Sequence, residues 1–526
     1  MQESGREESV MPNGGQAQFI QLHPTDNVCV AIKDLASGSL LTVGHQTVTL
    51  SDDIPPGHKV ATRAIASGQP VLKYGQVIGL TTRDIRPGEW VHSHNLVMQD
   101  FARDPASASC IPTPLPPMTG RTFQGYRRAD GQAGTRNYIA VISSVNCSAS
   151  VAKFIARRFG AEELAAYPHV DGVLAFTHFS GCGLQFGGTA HAMLNRVLAG
   201  IARHPNVGAY LLVGLGCEQA ELDYLLRDQQ LVQIAGTGTA SSGPLVFTMQ
   251  DQGGTSRTVE AGVAQVRELL PLVNVARREA IPASEIVLAT NCGGSDGNSG
   301  ITANPALGVA SDMLVACGAT TILAETTEIY GAEHLLTRRA VSVEVAQKLL
   351  DRIEWWKWYT SIFGVDIDNN PSVGNKKGGL TTIAEKSLGA VAKAGSTALV
   401  DVVQYAEPVR AKGLVVMDTP GYDPVSVTGL VAGGANVVVF TTGRGSCFGC
   451  KPAPSIKVAT NTPMYDRMRD DMDLNAGVIL DGVPVAEVGR QIFEEILAVA
   501  SGKTTKSEQL GIGDEEFVPW IVGPTL

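Results

Sequence analysis

The spacing of apolar positions changes character along the chain. From Phe19 to about Asn95 the apolar runs are short: Val28 to Ile32, Gly44 to Leu50, His58 to Thr62, Val71 to Tyr74 and Val77 to Leu80. Turn signals separate them at Pro55-Pro56-Gly57, Ser67-Gly68 and Arg86-Pro87-Gly88. Such spacing leaves little room for crossover helices, so residues 17–97 are expected to form a small all-β module. Residues 98–122 read as a linker, since 104–120 (DPASASCIPTPLPPMTG) carries five prolines that keep it extended. Beyond Phe123, apolar runs alternate with helical stretches: YIAVISSV then SVAKFIARRF, GVLAFTH then a helix around His191 to Ala202, AYLLVGL then EQAELDYLL. This βαβ rhythm implies a parallel sheet covered by helices. Pro271 interrupts the helical period of Val263 to Glu279, which predicts two helical pieces or one kinked helix and a boundary near Pro282. The rhythm resumes with EIVLATN, TTILAE, ALVDVV, GLVVMDT and NVVVFTT, and closes on a helix from Val485 to Ala500. The fold class is therefore α/β, with an N-terminal β-module followed by two parallel-sheet regions, 123–281 and 282–526.

Composition narrows the setting. Hydrophobic residues make up 44% of the chain, enough for several cores, and charged residues only 17% against about 25% in ordinary domains. The net charge of -10 excludes the basic face of a nucleic-acid binder. No run approaches the ~18 apolar residues of a membrane span. The polar first 16 residues read as a loose tail without a secretory core, with Met11 an alternative start. Nine scattered cysteines favour a reducing cytoplasm in which thiols are kept for metal binding or chemistry. A cytoplasmic homo-oligomer acting on a small molecule is expected.

Four of those cysteines, Cys147, Cys182, Cys217 and Cys292, each follow a predicted strand. Ligands of open parallel sheets bind outside the carboxyl ends of the strands, so these thiols could converge there. The alternative is that each is a small buried hydrophobe. His92-Ser93-His94 ends the β-module, where strand alternation would put both imidazoles on one face as metal ligands or as acid and base. The segment Cys292 to Gly300 (CGGSDGNSG) leads from a strand into a helix and offers backbone N–H groups to an anion. Arg136 and Asn137, Asn375 and Lys376, and Arg444 lie in or beside Gly-rich loops of this acidic chain and point to an anionic substrate. A nicotinamide cofactor is not expected, because Val213-Gly214-Leu215-Gly216 has Gln219 where the third glycine belongs. The Cys447-Phe448-Gly449-Cys450 pair has no partner motif and reads as chance or a local feature.

An ordered set of motifs resembles the altronate/galactarate dehydratase family of sugar-acid hydro-lyases over nearly the whole chain. They are GHKVA (57–61), KYGQVIG (73–79), HSHN (92–95), GYRRADGQAGTRNY (125–138), SGCG (180–183), GLGCE (214–218), CGGSDGNSGITANPA (292–306), NPSVGNKKGG (370–379) and FTTGRG (440–445). The resemblance implies an SAF-type β-clip module before two α/β regions. It also implies dehydration of a hexonic or hexaric acid to a 2-keto-3-deoxy acid, by removal of the C2 proton and loss of the C3 hydroxyl. The implied cofactor is Fe²⁺, with Mn²⁺ or an iron–sulfur cluster left open. HSHN and GAEHLL (331–336) favour D-altronate; galactarate, or another polyhydroxy or sulfonated acid, is the alternative. On this reading His92 and His94 act in catalysis or bind the metal, and Cys182 and Cys292 are further metal ligands. Arg136, Asn137, Asn375, Lys376 and Arg444 hold the substrate. A rival from another class makes the β-module a carbohydrate-binding unit on a silent scaffold, against which stand the His pair and the cationic loops.

Overall fold

The computed structural model describes residues 18–44, 46–99, 106–231 and 245–523; the expected tail and Met11 lie outside the described residues. The N-terminal module is all-β. One antiparallel sheet takes the order Phe19–Ile20, Val28–Ala31, Lys59–Ala61, Trp90–Val91, and another pairs Pro70–Lys73, Gln76–Thr81 and Leu96–Val97. Two details differ from expectation. Gly44, at φ +59°, ends one arm of a hairpin, Leu40–Val43 with Gln46–Thr49, instead of opening a single strand. Residues 92–95 form a turn closed by the Asn95 N–H on the His92 carbonyl at 3.0 Å, so strand alternation does not relate His92 to His94.

The linker lies along the C-terminal region, where the N–H groups of Ala108, Cys110 and Met118 donate to the carbonyls of Thr337, Arg338 and Ala316. The second region is entered by Thr122–Arg127 and left by Glu279–Pro282, which pair with each other. Between them, Gly172–Phe176, Tyr138–Ser143, Val207–Gly214 and Leu245–Thr248 form a parallel sheet in that order. Its two central strands are buried along their whole length, which is why they read as unbroken apolar runs. Pro271 is accommodated near the end of one helix, Thr255–Val273. The C-terminal region carries seven parallel strands in the order Leu399–Val403, Gly413–Met417, Thr320–Leu323, Val287–Cys292, Val437–Thr442, Ser455–Ala459, Leu474–Asn475. Helices Ala303–Ala316 and Val485–Ala500 pack together on it. No described helix is long and apolar enough to cross a membrane.

Arg136 and Asn137 are engaged within the protein: Arg136 joins the two α/β regions, and Asn137 braces the second region internally. Arg136 is 2% exposed and donates to both Glu508 carboxylate oxygens at 2.7 and 2.8 Å. Its remaining N–H groups reach the carbonyls of Thr135, Val499 and Lys503. Asn137 donates to the carbonyls of His169 and Val273 and accepts from Arg128, leaving neither residue a donor for a ligand.

The β-module is docked by a buried ionic triad. Lys59 and Lys73 of the module flank Glu385 of helix Ile383–Ala390, with side chains 0%, 1% and 0% exposed. Lys59 donates to both Glu385 oxygens at 2.9 Å and to the Gly379 carbonyl at 2.7 Å; Lys73 donates at 2.8 Å. The Thr381 N–H and hydroxyl complete the carboxylate's partners at 2.9 and 2.6 Å. Backbones touch alongside: a Cβ on Gly297 would stand 2.0 Å from the Gly57 carbonyl oxygen, and one on Gly379, at φ +102°, would stand 2.2 Å from it.

Replacing Glu385 by Gln leaves two buried ammoniums without their counter-charge and should destabilise the chain by about 3–5 kcal/mol in chemical denaturation. Burial opposes ionisation of Glu385, but Lys59, Lys73 and Thr381 outweigh it and hold the carboxyl below its ordinary value of 4.5. Its stabilisation is therefore complete above that value and is lost as the pH falls further, which denaturation curves at stepped acid pH will show. Arg136→Lys should cost about 1–3 kcal/mol by the same measurement, while leaving the KM of the expected reaction unchanged.

Candidate active site

The carboxyl ends of the central C-terminal strands carry a dense group of charges, as the geometry of an open parallel sheet requires. Cys292 ends the strand Val287–Cys292. On the neighbouring strand's exit, Glu325 and Glu328 bracket the short turn Thr326–Glu328. The ligand atoms of these three buried residues all lie within 4.8 Å of one another. Lys393 reaches Cys292 Sγ at 2.9 Å and Glu325 Oε2 at 2.6 Å, and Lys386 reaches Glu328 Oε1 at 2.6 Å. Asn370 donates to the same Glu328 oxygen at 2.9 Å.

Two features mark this group as more than a satisfied ion pair. Glu325 has φ +64°, a left-handed conformation that a non-glycine side chain adopts only when its surroundings impose it. Its Oε1 is buried and has no hydrogen-bond partner, leaving a carboxylate oxygen unsatisfied beside the group. That orphan oxygen, with a thiol and a second carboxylate beside it, fits a cation site. Burial raises the Cys292 thiol to about 12, with Glu325 adding and Lys393 opposing. Burial also raises Glu325, against Lys393. Lys386 and Lys393, which burial alone would lower, are raised because the surrounding anions outweigh it.

Asp423, at the start of helix Asp423–Ala432, faces the same place from the other side. Asn291 donates to it at 3.0 Å, and a Cβ on Gly293 would stand 2.3 Å from its Oδ2, so glycine is needed there. Burial first, then Glu325 and Glu328, push its carboxyl up to about 8. A narrow cavity beside the group is lined by Tyr74, Cys292, Asp296, Asn304, Glu385 and Lys386, so the docked β-module supplies one wall.

Most of the N–H groups of the glycine-rich segment 292–300 are engaged within the protein. Its N–H groups at 293, 296, 297, 298 and 299 are engaged by Thr441, Ser299, Gly378 and Asp296. Asp296 accepts from Ser299, Thr460 and Asn461 and clamps the loop to the next strands. Asn375 is likewise structural: it caps its own helix with Ser372 and donates to the Ser295 carbonyl at 2.9 Å. Arg444 is exposed, its stem over Gly294 and Gly378, with no ion-pair partner among the described residues. Lys376 is half-buried and near the same loop.

His92 stacks on His58 at 5.1 Å, with Trp90 against both and His94 exposed on the far side of Trp90. His92 Nε2 donates to the Lys376 carbonyl at 2.9 Å while Nδ1 meets the Ser93 hydroxyl at 3.0 Å. His58 Nε2 donates to the Lys377 carbonyl and Nδ1 accepts from Trp90. Burial, with Lys59 adding, lowers both histidines, His58 to about 4, so both are neutral near pH 7. With both nitrogens engaged, His92 docks the module on the Lys376 loop, and neither His92 nor His94 is among the three residues whose ligand atoms lie together. Cys182 and Cys292 do not converge either, since they stand at the ends of different sheets in separate charge neighbourhoods. The residues that sequence inspection passed over, Glu325 and Glu328, carried a readable signal: two carboxylates three positions apart directly after the strand of TTILAE. Lys59, Lys73 and Tyr74 stood inside recognised motifs but without a role.

Comparison with known proteins places this geometry. Residues 17–99 match the altronate/galactarate dehydratase SAF domain, 125–274 the second domain of D-galactarate dehydratase/altronate hydrolase, and 283–525 the C-terminal domain of D-galactarate/altronate dehydratase. The chain is 41% identical over 508 residues to galactarate dehydratase (L-threo-forming) of Escherichia coli (strain K12), covering 95% of this chain and 96% of that one. It is 37% identical over 494 residues to altronate dehydratase of Bacillus subtilis (strain 168), covering 93% and 96%. A more distant relative is the beta subunit of (2R)-sulfolactate sulfo-lyase of Chromohalobacter salexigens, 32% identical over 410 residues and covering 76% and 97%. The motifs, the three matched domains and these relatives agree that the chain belongs to the altronate/galactarate dehydratase family of sugar-acid hydro-lyases.

Proposed function

We propose that the chain converts a six-carbon sugar acid to its 2-keto-3-deoxy acid at the Cys292–Glu325–Glu328 site. The observation that carries this reading is the unpartnered Glu325 oxygen in a buried cluster of opposite charges at the strand ends. Cys292, Glu325 and Glu328 would hold a divalent cation, and a thiol beside two carboxylates suits Fe²⁺, or Mn²⁺, better than Mg²⁺. Such an ion supplies charge to a substrate carboxylate that must accept carbanion density, on the order of several kcal/mol. The chain's own residues do the rest. Lys386 and Lys393 keep the cluster near neutrality and stay charged, offering ammonium donors to substrate oxygens. Asp423 retains its proton up to about pH 8 and donates it to the departing C3 oxygen. Tyr74 and the docked β-module exclude water from that side.

D-altronate is the substrate favoured by the His92–His94 segment. Galactarate is the second reading, favoured by the 41% identity to a galactarate dehydratase and by the exposed Arg444, which has no ion-pair partner among the described residues and could meet a second carboxylate. The nine free thiols accord with a reducing cytoplasm.

Anaerobic turnover of both acids, with and without Fe²⁺, should yield iron-dependent 2-keto-3-deoxy acid from one of them. No product from either, in folded protein with iron bound, overturns the reading. Asp423→Asn should lower kcat by roughly 10²-fold or more and remove the fall in kcat expected of the unaltered enzyme as pH rises through about 8. An unchanged pH profile in that variant would remove Asp423 from the proton transfer.

A further inference from the structure

Three thiols outside this site share one edge of the second region. The strands Gly172–Phe176, Tyr138–Ser143 and Val207–Gly214 are neighbours in one parallel sheet. Beyond its carboxyl end each carries an exposed, free cysteine: Cys182 and Cys217 on loops, and Cys147 in the first turn of the helix Asn146–Ala156. The loops are tied to one another. The Asn146 N–H donates to the Ser180 carbonyl at 2.9 Å and the Ala220 N–H to the Gly181 carbonyl at 3.0 Å. The Ser144 hydroxyl donates to Glu218 at 2.7 Å. Gly181, at φ +103°, comes so close that a Cβ there would stand 2.4 Å from the Ser144 carbonyl oxygen. His178 braces the same loop, its Nε2 donating to the Ser143 carbonyl at 3.0 Å and its Nδ1 accepting from the Ser180 N–H at 3.2 Å.

The thiols lie close enough to act on one another. Burial raises Cys182, and Cys147, Cys217 and Glu218 raise it further. Gln250 Nε2 donates to Cys217 Sγ at 3.6 Å. A single zinc-like ion would need sulfurs only roughly 3.8 Å apart, given a metal–sulfur bond of about 2.3 Å. Among the described residues Cys292, Glu325 and Glu328 are the group with ligand atoms all within 4.8 Å; these three thiols are spaced more widely. Wider spacing on two loops and one helix start suits a cluster, whose irons are each held by one thiolate. Glu218, beside Cys217 in the same loop, is occupied by Ser144 and by the N–H groups of Leu215 and Gly216. It therefore leaves a fourth corner unfilled.

We propose that Cys147, Cys182 and Cys217 hold a [4Fe–4S] cluster with one iron not ligated by cysteine and open to an oxygen-donor ligand such as a hydroxy acid. This site is separate from Cys292, and its test reads iron and sulfide, so either assignment can fail without the other. The full chain, incubated anaerobically with iron salts, dithiothreitol and sulfide and then desalted, should retain about four iron and four acid-labile sulfide per molecule. It should also show a visible charge-transfer band and an electron-paramagnetic signal after dithionite reduction. The C147S/C182S/C217S variant should lose all of these, and C292S should keep them. Absence of labile sulfide in the unaltered protein overturns the proposal, as does iron bound without sulfide. A cluster that survives the triple substitution, or is lost only in C292S, overturns it equally.

Discussion

Glu385, enclosed between Lys59 and Lys73, sets the position of everything else around the cation group. Three charges without access to water are expensive to desolvate, and such a triad is tolerable only when each polar atom is satisfied. Here the carboxylate meets both ammoniums and both Thr381 donors, and Lys59 also meets the Gly379 carbonyl. A geometry this demanding admits one docking of the β-module. That docking presses Gly57 against Gly297 and Gly379, brings Tyr74 into the cavity beside Cys292, and lays His58 and His92 on the carbonyls of Lys377 and Lys376. The module is thereby a wall of the site rather than an appended binding unit.

Charge balance governs the site itself. A thiol, two glutamates and an aspartate crowd the ends of adjacent strands, opposed by two lysines. The cluster stays folded because its members are held by rigid strand ends and by one strained residue, Glu325. Excess negative potential then appears where it is useful, as an aspartic acid that keeps its proton near neutrality and as a carboxylate oxygen with nothing to bind. The second region repeats the same topological device with softer ligands, placing three thiols at three neighbouring strand ends.

The α/β class, the β-module, the strand-end placement of the thiols and the family were all legible in the sequence, because each rests on local signals. Apolar runs report burial on both faces, turn residues report chain reversal, and ordered motifs survive without knowledge of contacts. The closing helix at Val485–Ala500 and the strands of the NVVVF and GLVVM type are of this kind. The partnering of polar side chains was not legible. Arg136 in a Gly-containing loop and Arg444 in another look alike as sequence, yet one is bonded to Glu508 and three carbonyls while the other is exposed. His92 reads as a ligand and is bonded to the Lys376 carbonyl, and the glycines at 293 and 297 admit Asp423 and the Gly57 backbone. Whether a charged group faces a ligand or a counter-charge depends on residues hundreds of positions away, such as Glu385 for Lys59 and Glu508 for Arg136. Local sequence determined the elements and which chemistry stood at their ends; only the packing of three regions decided which of those groups remained unpaired, because pairing is a long-range property of the folded chain.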